Sequence, residues 1–178
     1  MSKNVLRIRD LSVNYQTDRG VLEAIRHVNL DIPKGSIVGV VGESGCGKST
    51  LITSIIRQLD DNADILNGSI EFEKQDLLKL SLDKMRNISG TKLSIIFQDP
   101  MSTLNPVLSI GRQMIDIQYR DKISKKRKKQ RSIDMLTKVG IPDPRNQLNQ
   151  YPYELSGGMQ QRVSIAMALQ AGPSLLIA

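Results

Sequence analysis

The chain of 178 residues is long enough for one ordinary domain with a sizeable core. Hydrophobic residues at 39% and charged residues at 24% argue against disorder. The formal net charge of +7 admits an anionic partner, but aromatic residues at 3% leave no stacking platform for single-stranded nucleic acid. No apolar run approaches the roughly 18 to 20 residues that cross a bilayer. No signal-peptide stretch follows Met1-Ser2-Lys3-Asn4, and the single cysteine, Cys46, has no disulfide partner. The chain is expected in the cytosol.

In chain order, Val5-Leu6-Arg7-Ile8-Arg9 and Val28-Asn29-Leu30-Asp31-Ile32 alternate as half-buried antiparallel strands do. Pro33-Lys34-Gly35 signals a turn. Ile37-Val38-Gly39-Val40-Val41 is continuously apolar, which predicts a strand buried on both faces of a parallel sheet. A glycine-rich loop follows, then a helix predicted over Thr50 to Leu59. Ser69 to Phe72 reads as a short strand and Leu93 to Phe97 as a second buried one. From Val107 to Val139 the periodicity turns helical, as in an inserted helical layer, until Ile141-Pro142-Asp143-Pro144 breaks it. A last helix is predicted from about Gly158 to Leu169, closed by Ala171-Gly172-Pro173. Ser174-Leu175-Leu176-Ile177-Ala178 resembles the first half of another buried strand. The basic run from Lys122 to Arg131 leads into Ile133, Met135, Leu136 and Val139, and reads as the solvated face of a helix.

The loop Gly42-Glu43-Ser44-Gly45-Cys46-Gly47-Lys48-Ser49 fits the pattern G-x-x-x-x-G-K-[ST] between a predicted strand and a predicted helix. Each residue type has a chemical reason. Gly42, Gly45 and Gly47 let the backbone wrap closely around anionic oxygens in conformations that a Cβ penalises. Successive N–H groups and the helix N-terminus then direct partial positive charge at phosphates. Lys48 supplies a full charge to the β- and γ-phosphates, the Ser49 hydroxyl is a ligand for Mg²⁺, and Thr50 is placed to meet the α-phosphate. Cys46 occupies a variable position of the loop and reads as a small tolerated side chain.

Farther on, Leu155-Ser156-Gly157-Gly158-Met159-Gln160-Gln161-Arg162 sets a serine and two glycines at the start of a predicted helix, a second anion-binding N-terminus. With the loop upstream, this stretch resembles the signature of ATP-binding cassette (ABC) ATPases. Phe97-Gln98-Asp99-Pro100, between the two, resembles that family's Q-loop, and Tyr15 corresponds to its adenine-stacking aromatic. The resemblance covers essentially the whole chain. Ile96-Phe97-Gln98-Asp99-Pro100-Met101-Ser102-Thr103-Leu104-Asn105-Pro106 and Tyr151-Pro152-Tyr153-Glu154-Leu155-Ser156-Gly157-Gly158-Met159 resemble, more narrowly, the ATPases of oligopeptide, dipeptide and nickel importers.

The resemblance implies an α/β fold: a P-loop NTPase cassette with a mixed or parallel core sheet, an N-terminal antiparallel β subdomain and an inserted helical subdomain. The implied division is residues 1–98 for the β subdomain and P-loop core, 99–157 for the helical subdomain, and 158–178 for the signature helix and the start of the next strand. It implies ATP and Mg²⁺ as cofactors. Tyr15, Gly42, Glu43, Ser44, Gly45, Cys46, Gly47, Lys48, Ser49 and Thr50 would hold the nucleotide in one subunit. Ser156, Gly157 and Gly158 would hold it from a second ABC subunit. Lys48 and Gln98 are the catalytic candidates, and Ser49 and Gln98 the metal candidates. The implied partners are that second ATPase subunit, two transmembrane permease subunits and, indirectly, an extracytoplasmic binding protein. The implied place is peripheral, on the cytoplasmic face of the membrane, with no nucleic acid.

In the family a strand of the Leu175 to Ala178 type runs into an Asp-Glu pair that holds Mg²⁺ and supplies the general base, followed later by a switch histidine. Neither falls within the 178 residues, and His27 reads as a surface or sheet histidine. The chain is thus expected to be part of a longer ATPase, and alone to fold poorly and hydrolyse little ATP. A nucleic-acid- or ribosome-associated ABC ATPase and a non-hydrolysing regulatory subunit remain as alternatives. Against the repair members, no sustained heptads lie between the loop and Leu155.

Overall fold

The computed structural model describes residues 3–97, 99 and 103–178. The chain divides into two compact units, Met1–Asn87 and Ile88–Ala178. In the first, strands β1 (Asn4–Thr17), β2 (Gly20–Pro33), β3 (Ala63–Phe72) and β4 (Gln75–Asp76) form an antiparallel sheet in the order β2-β1-β3-β4. The two expected antiparallel strands are there, longer than their alternating cores. Ser69 to Phe72 is the end of a strand that begins at Ala63.

Most of the core of this unit comes from one face of the sheet. Leu6, Ile8, Leu11 and Val13 of β1 are fully buried, together with Ile70 and Phe72 of β3. The apolar phase of β1 steps from Leu6 and Ile8 to Leu11 and Val13. Such a step keeps the same face inward only if the strand absorbs an extra residue. It does so at Asp10, whose φ is +51°, where the pairing of β1 with β2 shifts register between Ile8 and Leu11. His27 on β2, also left-handed at φ +49°, faces this bulge; its Nδ1 lies 2.6 Å from Asp10 Oδ1. The histidine is exposed, as a sheet-surface residue should be. Gly68 of β3, at φ +107°, crosses the same bulge so closely that a Cβ there would meet Arg9 O, Asp10 O and Leu11 Cα, each at 2.7 Å.

The apolar run Ile37 to Val41 does not form the buried strand that its composition predicts. Residues 36–43 have no regular secondary structure, and Ile37 and Val41 are 102% and 93% exposed. A buried parallel strand needs a neighbour for its backbone groups and a layer on each face. No strand among the described residues pairs with this segment. The helix after the loop, α1 (Lys48–Ile56), starts and stops earlier than expected. Gly47 at its N-cap lets it begin inside the loop, and Arg57, in a left-handed conformation, ends it. The Arg57 guanidinium then donates to Leu77 O and Leu80 O at 3.1 and 2.6 Å, tying the helix end to the turn after β4. An additional helix, α2 (Leu82–Ile88), follows Ser81, which accepts the N–H of Lys84 as an N-cap does.

In the second unit, β5 (Leu93–Ile95) and β6 (Leu175–Ile177) pair in parallel, Leu93 opposite Leu175 and Ile95 opposite Ile177. The two short apolar runs read as buried strands therefore do form one sheet, although Phe97, at the far end of the first run, is 46% exposed. Around them lie α3 (Ile110–Asp116), α4 (Lys125–Lys138), α5 (Pro144–Gln147) and α6 (Gly157–Gln170). Three serines start the longer helices by the same device. Ser109, Ser124 and Ser156 accept the N–H of the residue three positions on, Arg112, Arg127 and Met159, at 3.3, 3.3 and 3.4 Å. Ile110, Met114, Leu136, Leu148, Leu155, Val163 and Ala166 share one buried cluster, which sets the Ser156 end of α6 on a packed base. Pro142 lies in the break between α4 and α5, Pro144 begins α5, and Gly172, at φ +64°, closes α6 as anticipated. The basic run forms the first half of α4, with Lys125, Lys126, Arg127 and Lys129 exposed.

Candidate functional site

The glycine loop, the start of α1 and one end of the β1–β2 pair enclose a cavity of about 320 Å³. Its walls are Tyr15, Leu22, Glu23 and Ala24 on the strands, and Ser44, Gly45, Gly47, Lys48, Ser49 and Thr50 on the loop and helix. That volume is at the small end of small-molecule sites. Tyr15 enters it because β1 and β2 pair Tyr15 with Leu22 and Asn14 with Glu23, and Gly47 packs against the backbone of Ala24. A Cβ on Gly47 would stand 2.4 Å from Ala24 O, and the residue sits at φ +91°. Glycine is therefore required at that position on two separate grounds.

Lys48 is held over the loop by its own backbone. Its Nζ donates to Gly42 O at 2.8 Å and to Glu43 O at 2.6 Å, and lies 3.5 Å from Cys46 Sγ. An ammonium has three protons to donate, so the two carbonyls position it and leave the third directed at the weakest partner, the thiol. The first-turn N–H groups of α1 receive no side-chain cap, and that turn contains no acidic residue. A helix N-terminus left in this state, beside a fixed ammonium, offers unsatisfied donors and positive potential to an anion. Ser49 adds an exposed hydroxyl on the cavity wall. These features fit a polyphosphate; the hydroxyl fits a hard cation that takes its other ligands from phosphate oxygens and water.

Of the loop residues expected at the nucleotide, Ser44, Gly45, Gly47, Lys48, Ser49 and Thr50 line the cavity, whereas Gly42, Glu43 and Cys46 are not among its lining residues. Gly42 and Glu43 act through their carbonyls on Lys48. A Cβ on Gly42 would meet Cys46 Sγ at 2.5 Å, so the thiol folds over that glycine while remaining exposed. Leu22, Glu23 and Ala24 belong to the site and were not expected there. No local motif marks them; the pairing of β2 with Tyr15 brings them in.

Ser156, Gly157 and Gly158 lie in the second unit, at the start of α6. Gly157 and Gly158 are exposed, and a Cβ on either would meet nothing within 4 Å. Packing does not explain glycine at these two positions; an approach by something outside the chain would. The stacked pair Tyr151 and Tyr153, with centroids 5.7 Å apart, stands just before them. Gln98, the catalytic and metal candidate, lies outside the described residues. No helix among the described residues is long and apolar enough to cross a membrane.

The ABC transporter family model matches residues 25–178. The chain is 44% identical over 176 residues to the oligopeptide transport ATP-binding protein OppD of Bacillus subtilis strain 168, covering 98% of this chain and 49% of that protein. It is 46% identical over 178 residues to the dipeptide transport ATP-binding protein DppD of the same organism, covering 99% of this chain and 53% of that one. The chain thus spans about half the length of the curated relatives it matches. Among solved structures, the dimeric post-hydrolysis state of the ATP-binding cassette MJ0796, bound to ADP and Pi, superposes with a TM-score of 0.83. Its sequence is 26% identical, over 96% of this chain and 72% of that one.

Proposed function

The chain belongs to the ABC transporter family, and on that premise we propose that it is the nucleotide-binding part of the ATPase subunit of a peptide importer. One observation carries the reading. Tyr15 and the phosphate loop, distant in sequence, line a single cavity of about 320 Å³. In this proposal adenine stacks on Tyr15 and the polyphosphate lies over Gly45 to Thr50. Lys48 would contribute charge to the β- and γ-phosphates, and the Ser49 hydroxyl would be a ligand for Mg²⁺, which would neutralise phosphate charge. The open N-terminus of α6 at Ser156, Gly157 and Gly158 serves the ATP held by a second subunit. The γ-phosphate would then be gripped by two helix N-termini, and ATP binding would draw two cassettes together. Gln98 remains the proposed link between Mg²⁺ and the membrane subunits. Transport of a peptide rests on the relatives named above, and transport of a metal chelate only on the resemblance in sequence.

The decisive experiment uses the full-length protein produced together with its neighbouring membrane subunits. Copurification with them, and ATP hydrolysis stimulated by peptide-loaded binding protein, is the expected result. A protein that binds ATP but associates with nucleic acid or ribosomes instead would sink the transport assignment. Within the site, Tyr15→Ala is expected to weaken ATP binding by about 5- to 150-fold, as losses of base–aromatic stacking do, whereas Tyr15→Phe keeps the affinity. Calorimetric titration of both variants distinguishes them. Cys46 supplies a readout without activity: saturating Mg-ATP should slow its alkylation, because the exposed thiol stands 3.5 Å from the Lys48 ammonium. An alkylation rate unchanged by ATP would place the phosphates elsewhere.

A further inference from the structure

The first half of α4 is built against the helix that carries it. Lys125, Lys126 and Arg127 open the helix, followed by Lys128 and Lys129, and its first turn holds no acidic residue. That is the end at which the helix dipole favours carboxylates. Lys125 and Lys129 also stand at i and i+4, where like charges repel. The cap formed by Ser124, accepting the N–H of Arg127 at 3.3 Å, fixes the start of the helix inside the basic run.

Local compensation reaches only the inner members. Lys128 donates to Gln118 O at 2.6 Å, and Arg131 pairs with Asp121. Lys122, Lys125, Lys126, Arg127 and Lys129 are exposed, and among the described residues none of these five forms an ion pair. Tyr119, close in sequence to the run, is 67% exposed, with the Arg120 guanidinium carbon 5.1 Å from its ring centre. Where a sequence breaks its local rules without a local gain, the gain is found in function.

We propose that this end of α4 binds the anionic phospholipid headgroups of the membrane that holds the transporter, a proposal that rests on the transporter assignment above. Two observations favour a lipid surface over nucleic acid. Four of the five free cations are lysines, compact point charges that act through a diffuse field on a charged surface rather than through the bidentate fork by which arginine reads bases and phosphates. The aromatic residue nearest the run in sequence is a tyrosine, a residue type that concentrates at membrane interfaces.

The test spins the full-length protein with vesicles of phosphatidylcholine, with or without about 30% phosphatidylglycerol, in rising salt. Binding is expected only with the anionic lipid, weakening as salt screens the charges. The variant Lys125→Gln/Lys126→Gln/Arg127→Gln/Lys129→Gln should lose up to about 1,000-fold in partitioning, since each basic residue near an anionic surface contributes about 1 kcal/mol. It should keep its ATP affinity, since none of the four lines the nucleotide cavity, and its melting temperature should hold or rise. Should the variant melt early, the lipid-charge and salt dependence of the unmodified protein decides instead. Equal binding to neutral and anionic vesicles overturns the proposal. So does equal binding by a stable variant, or a preference at equal salt for duplex DNA or RNA over anionic vesicles. Failure of the transporter assignment has a separate signature, namely no copurification with membrane subunits whatever the vesicles show.

Discussion

Lys48→Ala in the full-length protein is expected to lower ATP affinity by about 10- to 150-fold, the loss that accompanies removal of one hydrogen-bonded charge. The direction follows from the geometry of the ammonium. Gly42 O and Glu43 O hold Nζ at 2.8 and 2.6 Å, so its position is set before any ligand arrives and little ordering remains to be done. A phosphate oxygen then replaces a thiol contact of 3.5 Å with a charge-assisted bond. Lys48→Arg should not restore the affinity, because a planar guanidinium does not fit where two carbonyls converge on one point charge. Titration with AMP separates this account from collapse of the loop. Lysine directed at the β- and γ-phosphates predicts that AMP binding is nearly unchanged, whereas a fall as large for AMP as for ATP would show that the loop itself had lost its shape.

The second large effect concerns stability. Gly68→Ala should destabilise the antiparallel sheet by about 3 to 5 kcal/mol, combining the strain of a left-handed non-glycine residue with overpacking. At φ +107° the new Cβ would lie 2.7 Å from each of three atoms of β1, Arg9 O, Asp10 O and Leu11 Cα. All three are backbone, so no rotamer change relieves the clash. Gly20→Ala is the matched control. Its φ is +111° with nothing within 4 Å of the added carbon, and it should cost only the backbone strain, about 1 to 3 kcal/mol. Amide hydrogen exchange over β1 and β3 reads the difference. Equal loss of protection in the two variants would refute the steric account of the bulge.

The phosphate loop was legible because its chemistry is local. A run of backbone donors, three glycines and a lysine needs only the helix start that follows it, and Gly47, Lys48 and Ser49 stand at that start although no strand immediately precedes the loop. Serine caps are local for the same reason, since a hydroxyl and the N–H three residues on belong to one turn; at Ser81 the signal is weak because only a short helix follows it. The run Ile37 to Val41 shows the opposite case. Its composition states a demand for burial, but burial depends on neighbours, and the described residues supply no strand to pair with it. The bulge at Asp10 lies between. Its signal is the phase change from Leu6 and Ile8 to Leu11 and Val13, visible only once the strand is known to continue past Arg9.

From sequence alone came the candidate phosphate loop, a second exposed helix N-terminus beginning at Ser156, and the type of most strand and helix runs, though not that of Ile37 to Val41 or of α2. These properties depend on residue chemistry and on periods of two or 3.6 residues, both short-range. Tertiary contacts bring Leu22, Glu23 and Ala24 into the cavity with Tyr15, bar a side chain at Gly68 and Gly47, and among the described residues leave Lys125, Lys126, Arg127 and Lys129 without an ion pair. Each depends on what a distant part of the chain brings within a few ångströms, through strand register and packing that no local pattern encodes.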